Sequence, residues 1–180
     1  KRLSKQMKIA FIMILIIGFL FGASRMFKKG EDVLKVGDVA PDFTLLSQNK
    51  KKVTLKDYRG KRVVVYFFPK ADTPGWTKEA CGFRDAFSEY KKANIVVFGI
   101  SYDSPESLKS FKKKHVLPFT FLSDKEKNVS KAYGTKGRLW PSRATFVIGP
   151  DGLIEKIYKK INVNTHAGEI LDDILAKKVV

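Results

Sequence analysis

An α/β domain, a central mixed β-sheet flanked by helices, is the fold that three features of this 180-residue chain predict. Arg62–Phe68 (after its first residue) and Ile95–Ser101 are apolar, β-branched and aromatic, as central strands covered on both faces must be. Between them, Pro74–Lys92 sets Ala80, Phe83, Phe87 and Tyr90 on one side of a helix. Towards the end, Arg143–Ile148 and Leu153–Ile161 flank Gly149-Pro-Asp-Gly152, a hairpin turn signal followed by a last helix. Strands alternating with helices and closing on a hairpin fit layers of helix packed on a sheet.

The remaining elements follow in order. Asp42–Leu46 and Lys52–Leu55 predict an N-terminal hairpin around the polar turn Ser47–Lys51. Ser104-Pro105 supplies cap and first-turn chemistry for a helix to about Lys114. Thr120–Leu122 reads as a short strand and Lys127–Tyr133 as a short helix stopped by Gly134. Asn164 or Thr165 caps the last helix, through Ala176, with Ile170, Leu171, Ile174 and Leu175 towards the core. No internal repeat, phosphate-binding glycine loop or metal-ligand cluster occurs, so neither a cofactor nor a metal is expected.

Net charge is +17. The first thirty residues hold seven bases (Lys1, Arg2, Lys5, Lys8, Arg25, Lys28, Lys29) and no acid. Scattered lysines such as Lys50–Lys52 and Lys112–Lys114 read as a solvated face, and with no recognition helix or RNA-binding signature no nucleic-acid partner is expected. One cysteine excludes an intramolecular disulfide framework and the Cys-x-x-Cys pair of a dithiol reductase. His115 and His166 lack ligand spacing and are expected in solvated or capping roles.

Ile9–Ser24 is an uncharged apolar run flanked by bases, about 24 Å long as a helix and slightly short of a hydrocarbon core. It reads as a signal peptide, with Gly22-Ala23-Ser24 near a cleavage point, or as an uncleaved membrane anchor. The division expected is residues 1–30 as that segment and 31–180 as the domain, exported or membrane-anchored outside the cytoplasm.

The stretch Val63-Val-Val-Tyr-Phe-Phe-Pro69-Lys-Ala-Asp-Thr73-Pro-Gly-Trp76-Thr-Lys-Glu-Ala-Cys81 runs from a buried strand through a Pro/Gly turn into a helix that opens near Trp76. The first turn of a helix presents unpaired N–H groups and the positive end of its dipole, which stabilise a thiolate. An indole there can neither ionise nor attack.

Pro69, Thr73, position 76 and Cys81 resemble the signature of the peroxiredoxins, and within them the Q-type or bacterioferritin-comigratory-protein subfamily. Trp76 stands in the peroxidatic slot and Cys81 at the resolving spacing. Arg143-Ala-Thr-Phe-Val-Ile148 with Pro150-Asp-Gly152 is similar to the strand bearing the family's active-site arginine. Val36-Gly-Asp-Val-Ala-Pro-Asp-Phe-Thr-Leu45 is similar to the family's leading segment. Together the likeness runs from about Val36 to Ala176.

The resemblance implies a thioredoxin-like fold and thioredoxin-dependent reduction of hydroperoxides, with a hydroperoxide substrate, a thioredoxin-like reductant and a monomer or weak dimer. It implies that Thr73 supplies a hydroxyl to the nucleophile, Pro69 shields the pocket and Arg143 lays fixed charge across it. Singly, these residues also fit as helix N-cap, strand terminator and surface ion pair. Trp140-Pro141 suits a pocket wall or a plain hydrophobic anchor.

Five residues at 100° put Cys81 roughly 140° around the helix from position 76, about 7.5 Å along its axis. It is a poor substitute nucleophile, and bonding to position 76 requires local unwinding. Without a thiol at position 76 it reads as a small buried apolar residue. Three accounts of Trp76 stand. The protein is a catalytically inactive module; or tryptophan replaces cysteine in an otherwise active enzyme; or the residue is selenocysteine, its UGA codon read as tryptophan.

Overall fold

The computed structural model describes residues 34–176. The apolar run at 9–24 and the proposed boundary after residue 30 lie outside the described residues, among which no helix is long and apolar enough to cross a membrane.

Seven strands form one sheet: β1 (Thr44–Ser47), β2 (Lys52–Thr54), β3 (Arg62–Phe67), β4 (Ile95–Ser101), β5 (Thr120–Ser123), β6 (Ala144–Ile148) and β7 (Ile154–Tyr158). Their order is β2-β1-β5-β4-β3-β6-β7. The β3–β4 and β4–β5 pairs are parallel and the other four antiparallel, which makes the sheet mixed. Helices are α1 (Pro74–Asp85), α2 (Phe87–Lys92), α3 (Pro105–Lys114), α4 (Asn128–Ala132) and α5 (His166–Ala176).

Alternation along β3 explains two cores. Val64, Tyr66 and Phe68 face one side with Phe83 of α1, Tyr90 of α2, Leu108 of α3 and Ile170 of α5. Val63, Val65 and Phe67 face the other, under Phe43, Val129 of α4 and Tyr133. A strand buried on both faces has no solvent-facing alternate positions to make polar. The N-terminal hairpin pairs Thr44–Leu46 with Lys52–Thr54, and the closing hairpin turns through Gly152 at φ +82°.

The predicted helix Pro74–Lys92 is two. Ala86, near (−85°, −2°), separates α1 from α2 while Phe83 and Tyr90 stay buried across the break. Leu175 is 41% exposed rather than core-facing, because Ala167, Ile170, Leu171 and Ile174 already fill the inward stripe of α5. Ser104 caps α3 as expected, accepting from the Ser107 N–H at 3.3 Å.

Candidate active site at the start of helix α1

β3 runs out at Phe67 into the turn that feeds α1, and the turn is pinned at several points. The Ala71 N–H donates to Asp103 Oδ2 at 2.8 Å, and Ser101 donates to the same oxygen. Asp72, in the left-handed region at φ +64°, is gripped by Lys114 (2.7 and 2.8 Å) and His115 (3.0 Å). Those two partners, the His115 hydrogen bond foremost, hold the Asp72 carboxyl below its usual range. His115 thus takes its expected capping place, at the C-terminus of α3, and also steadies the site turn.

Thr73 occupies the N-cap position of α1, but its hydroxyl donates backwards to the Lys70 carbonyl at 3.2 Å rather than capping the helix. The oxygen's acceptor capacity remains, since a hydroxyl accepts as well as donates. Trp76 is the third residue of the helix, and its own N–H is already bonded to the Thr73 carbonyl at 3.1 Å. What remains for a side chain at position 76 is the positive end of the dipole.

Register explains the arrival of Arg143. Phe67 at the end of β3 pairs with Ala144 at the start of β6, so the residue before Ala144 lands beside Pro69 and the first turn of α1. The Arg143 guanidinium carbon lies 3.6 Å from the centre of the Trp76 ring, a stacked cation–π contact. It makes no ion pair among the described residues, so its reading as a surface ion pair fails. Burial lowers its pKa, opposed by the charge of Glu79.

Pro69, Trp76 and Arg143 share an open cleft of about 620 Å³ with Leu139, Trp140 and Pro141. Trp140 is therefore a cleft wall, and at 51% exposed it is not a buried anchor. Cys81 sits farther along the same helix, absent from the cleft, and is half-buried rather than packed in the core.

Sequence reasoning missed Glu79. Only 2% exposed, it lies on the inward side of α1 with neither carboxylate oxygen hydrogen-bonded. Burial raises its pKa to about 7, with Arg143 opposing. His166 Nε2 stands 4.0 Å from Glu79 Oε1 and 2.8 Å from the Thr145 hydroxyl, while Nδ1 has no partner. His166 is 1% exposed, so of the solvated or capping roles expected the solvated one fails; burial pulls its pKa down to about 4. The Tyr66 hydroxyl, also buried and unpartnered, feels Glu79 as well. The available signal was spacing: Glu79 stands three residues after Trp76 and four before Phe83, on the stripe assigned to the core. No cluster of three potential metal ligands occurs among the described residues.

A mixed sheet whose central strand delivers a helix N-terminus, with an arginine laid across it from the neighbouring antiparallel strand, defines a thioredoxin-fold protein with a redox-type site. A sequence model of the AhpC/TSA family matches residues 36–157, and the chain belongs to that family, in its peroxiredoxin Q/Bcp branch. It is 42% identical over 147 residues to the peroxiredoxin Bcp of Escherichia coli (77% of this chain, 94% of the relative). It is 45% identical over 139 residues to the chloroplastic peroxiredoxin Q of Oryza sativa subsp. japonica (75% of this chain, 64% of the relative). Among solved structures it resembles the Xylella fastidiosa PrxQ C47S mutant at TM-score 0.77 and 30% identity, covering 81% of this chain and 98% of that one. It also resembles the Xanthomonas campestris bacterioferritin comigratory protein, described for alkyl peroxide reduction, at TM-score 0.74 and 29% identity (81% and 98% covered).

Proposed function

We propose that this protein is a thioredoxin-dependent hydroperoxide reductase whose nucleophile, a thiolate or selenolate, belongs at position 76. The observation that carries this reading is Arg143, without an ion pair among the described residues, lying over the side chain of residue 76 at the N-terminus of α1. A fixed cation and a helix dipole converging on one side chain lower the pKa of a thiol placed there and polarise a bound peroxide. The alkyl peroxide reduction described for the Xanthomonas campestris relative supports the same substrate class.

In this reaction a thiolate at position 76 attacks one oxygen of the hydroperoxide and the O–O bond breaks. That oxygen stays on sulfur as a sulfenic acid; the other leaves with the substrate residue and takes a proton, giving an alcohol or water. Thr73 accepts from the incoming peroxide or steadies the nucleophile, Arg143 stabilises charge on the departing oxygen, and Pro69 keeps bulk water off. The Cys81 thiol then attacks the sulfenic sulfur, releasing water and forming a disulfide after α1 unwinds locally. A thioredoxin-like dithiol reduces that disulfide and is oxidised in turn. Tryptophan at position 76 supplies no nucleophile to the cleft, so the reaction requires sulfur or selenium there.

Residues 1–30 act as a signal peptide or membrane anchor in this reading, with the domain from residue 31 outside the cytoplasm as a monomer or weak dimer. The apolar run and the bases before it support this reading, and Arg25, Lys28 and Lys29 just past the run weigh against it.

Peroxide consumption coupled to a thioredoxin-type reductant tests the function in the Trp76 protein, in W76C and in the selenocysteine form. Turnover appears only with sulfur or selenium at position 76. Absence of turnover in all three marks an inactive module instead.

A further inference from the structure

Large apolar side chains exposed side by side occur once among the described residues, at Leu139 (68%) and Trp140 (51%). They crown the loop between α4 and β6, beside the cleft that holds Trp76 and Arg143. The loop is built rather than slack. Its base is closed by the Ser142 N–H donating to the Thr135 carbonyl at 2.7 Å. Its tip folds so tightly that a β-carbon on Gly137 would fall 2.0 Å from the Trp140 carbonyl oxygen. The fold thus spends its geometry on holding a leucine and an indole out in water.

Along the loop itself the charge has one sign. From Lys127 to Arg143 the chain has five bases and no acid. Lys127 is engaged with the Arg138 carbonyl and the Tyr102 ring, whereas Lys136 and Arg138 are exposed without an ion pair among the described residues. An indole and an aliphatic side chain flanked by exposed cations match the interface of an anionic bilayer, where rings lie at headgroup depth and cations meet phosphates.

We propose that the 136–141 tip is a lipid-surface contact. It seats Leu139 and Trp140 among the headgroups of an anionic membrane, with Lys136 and Arg138 on the phosphates. Its position beside the cleft then delivers a hydroperoxide carried on a lipid chain to residue 76. This delivery step rests on the function proposed above; the surface contact does not.

The chain has two tryptophans, so in full-length W76F the emission of Trp140 is isolated. Vesicles of phosphatidylglycerol and phosphatidylcholine with brominated acyl chains shift that emission to the blue and quench about half of it. L139S, the double variant K136E/R138E, and phosphatidylcholine vesicles at about 0.5 M salt each remove the quenching. An N-terminal anchor would hold the protein on vesicles without inserting Trp140, so the signal belongs to the loop. In a W76C background, W140S lowers the ratio of phospholipid-hydroperoxide to hydrogen-peroxide turnover about tenfold.

Trp140 emission unchanged by vesicles would overturn the contact. So would a W140S variant that keeps the turnover ratio and raises KM for the reductant, which would assign the loop to a protein partner. Quenched Trp140 with an inactive W76C would leave the lipid contact standing and remove the peroxidase reading.

Discussion

The β3–β6 strand pair ends in an arginine on each side, and the two are treated in opposite ways. Arg62 at one end is clasped by Glu155 in a bidentate pair (2.7 and 2.9 Å), and that hydrogen bonding raises its pKa. Arg143 at the other end has no ion-pair partner among the described residues and a pKa lowered by burial, and it spreads over Trp76. Buried carboxylates repeat the contrast. Asp124, 1% exposed, accepts from the Ser130 N–H (2.7 Å), the Ser130 hydroxyl (2.6 Å) and the Val129 N–H (3.2 Å). Glu79, 2% exposed, accepts from nothing. Satisfied polar groups secure a fold, and unsatisfied ones are kept where a site gains from them. Among the described residues those of Glu79, Tyr66 and His166 gather around α1, and the Tyr102 hydroxyl, beside Lys127, stands apart.

The largest effect that would break this comparison is at Arg143. In a W76C background, R143K lowers kcat/KM for peroxide about a hundredfold, because a point charge replaces a planar fork aimed at the departing oxygen. An R143K enzyme as fast as its parent would make Arg143 an ornament of the Trp76 stack. Stopped-flow reduction of hydrogen peroxide measures it.

The carboxylates separate next, by stability. D124A costs about 3 kcal/mol in urea unfolding, since three donors lose their acceptor. E79Q behaves oppositely and with pH. Glu79 has a folded-state pKa raised from 4.5 to about 7, so its contribution is fully present below pH 4.5 and is lost as pH climbs through about 7. E79Q therefore matches the parent near pH 4.5 and exceeds it above pH 7, by about 3 kcal/mol at most. His166 carries the reverse sign. Lowered from 6.5 to about 4, it stabilises the folded chain above pH 6.5 and loses that contribution as pH falls towards 4. Between pH 4.5 and 6.5 the two slopes oppose and nearly cancel, so the parent's curve is close to flat there and the pH dependence shows in the difference between E79Q and the parent. A difference between E79Q and the parent that is flat in pH, or E79Q as damaging as D124A, would erase the distinction.

Much of this was legible in the chain. Pro69, Thr73, position 76 and Arg143 were expected together; Pro69, Trp76 and Arg143 line one cleft and Thr73 stands at the N-cap of α1 outside that lining, because strand-turn-helix spacing and strand register are written in local sequence. Thr73 was legible as a position but not as a bond, since its hydroxyl turns back to the Lys70 carbonyl. Ala86 gave no breaker signal, being a good helix former whose dihedrals are set by packing on either side. Glu79 and His166 were hidden for a physical reason: a charged residue in a helix reads as solvated until tertiary packing closes over it. Trp140 was legible as one of two alternatives, the cleft wall it proves to be, whereas Leu139 carried no signal of its own and is turned out beside it by the fold.

The claim that matters most is that position 76 is the peroxide-reactive atom's place and Cys81 its partner. Intact mass of W76C after one equivalent of hydrogen peroxide tests it most directly. The prediction is a loss of about 2 Da as the 76–81 disulfide forms and, in W76C/C81S, a gain of about 16 Da as the sulfenic acid is trapped. Masses unchanged in both proteins, with peroxide left unconsumed, would contradict it.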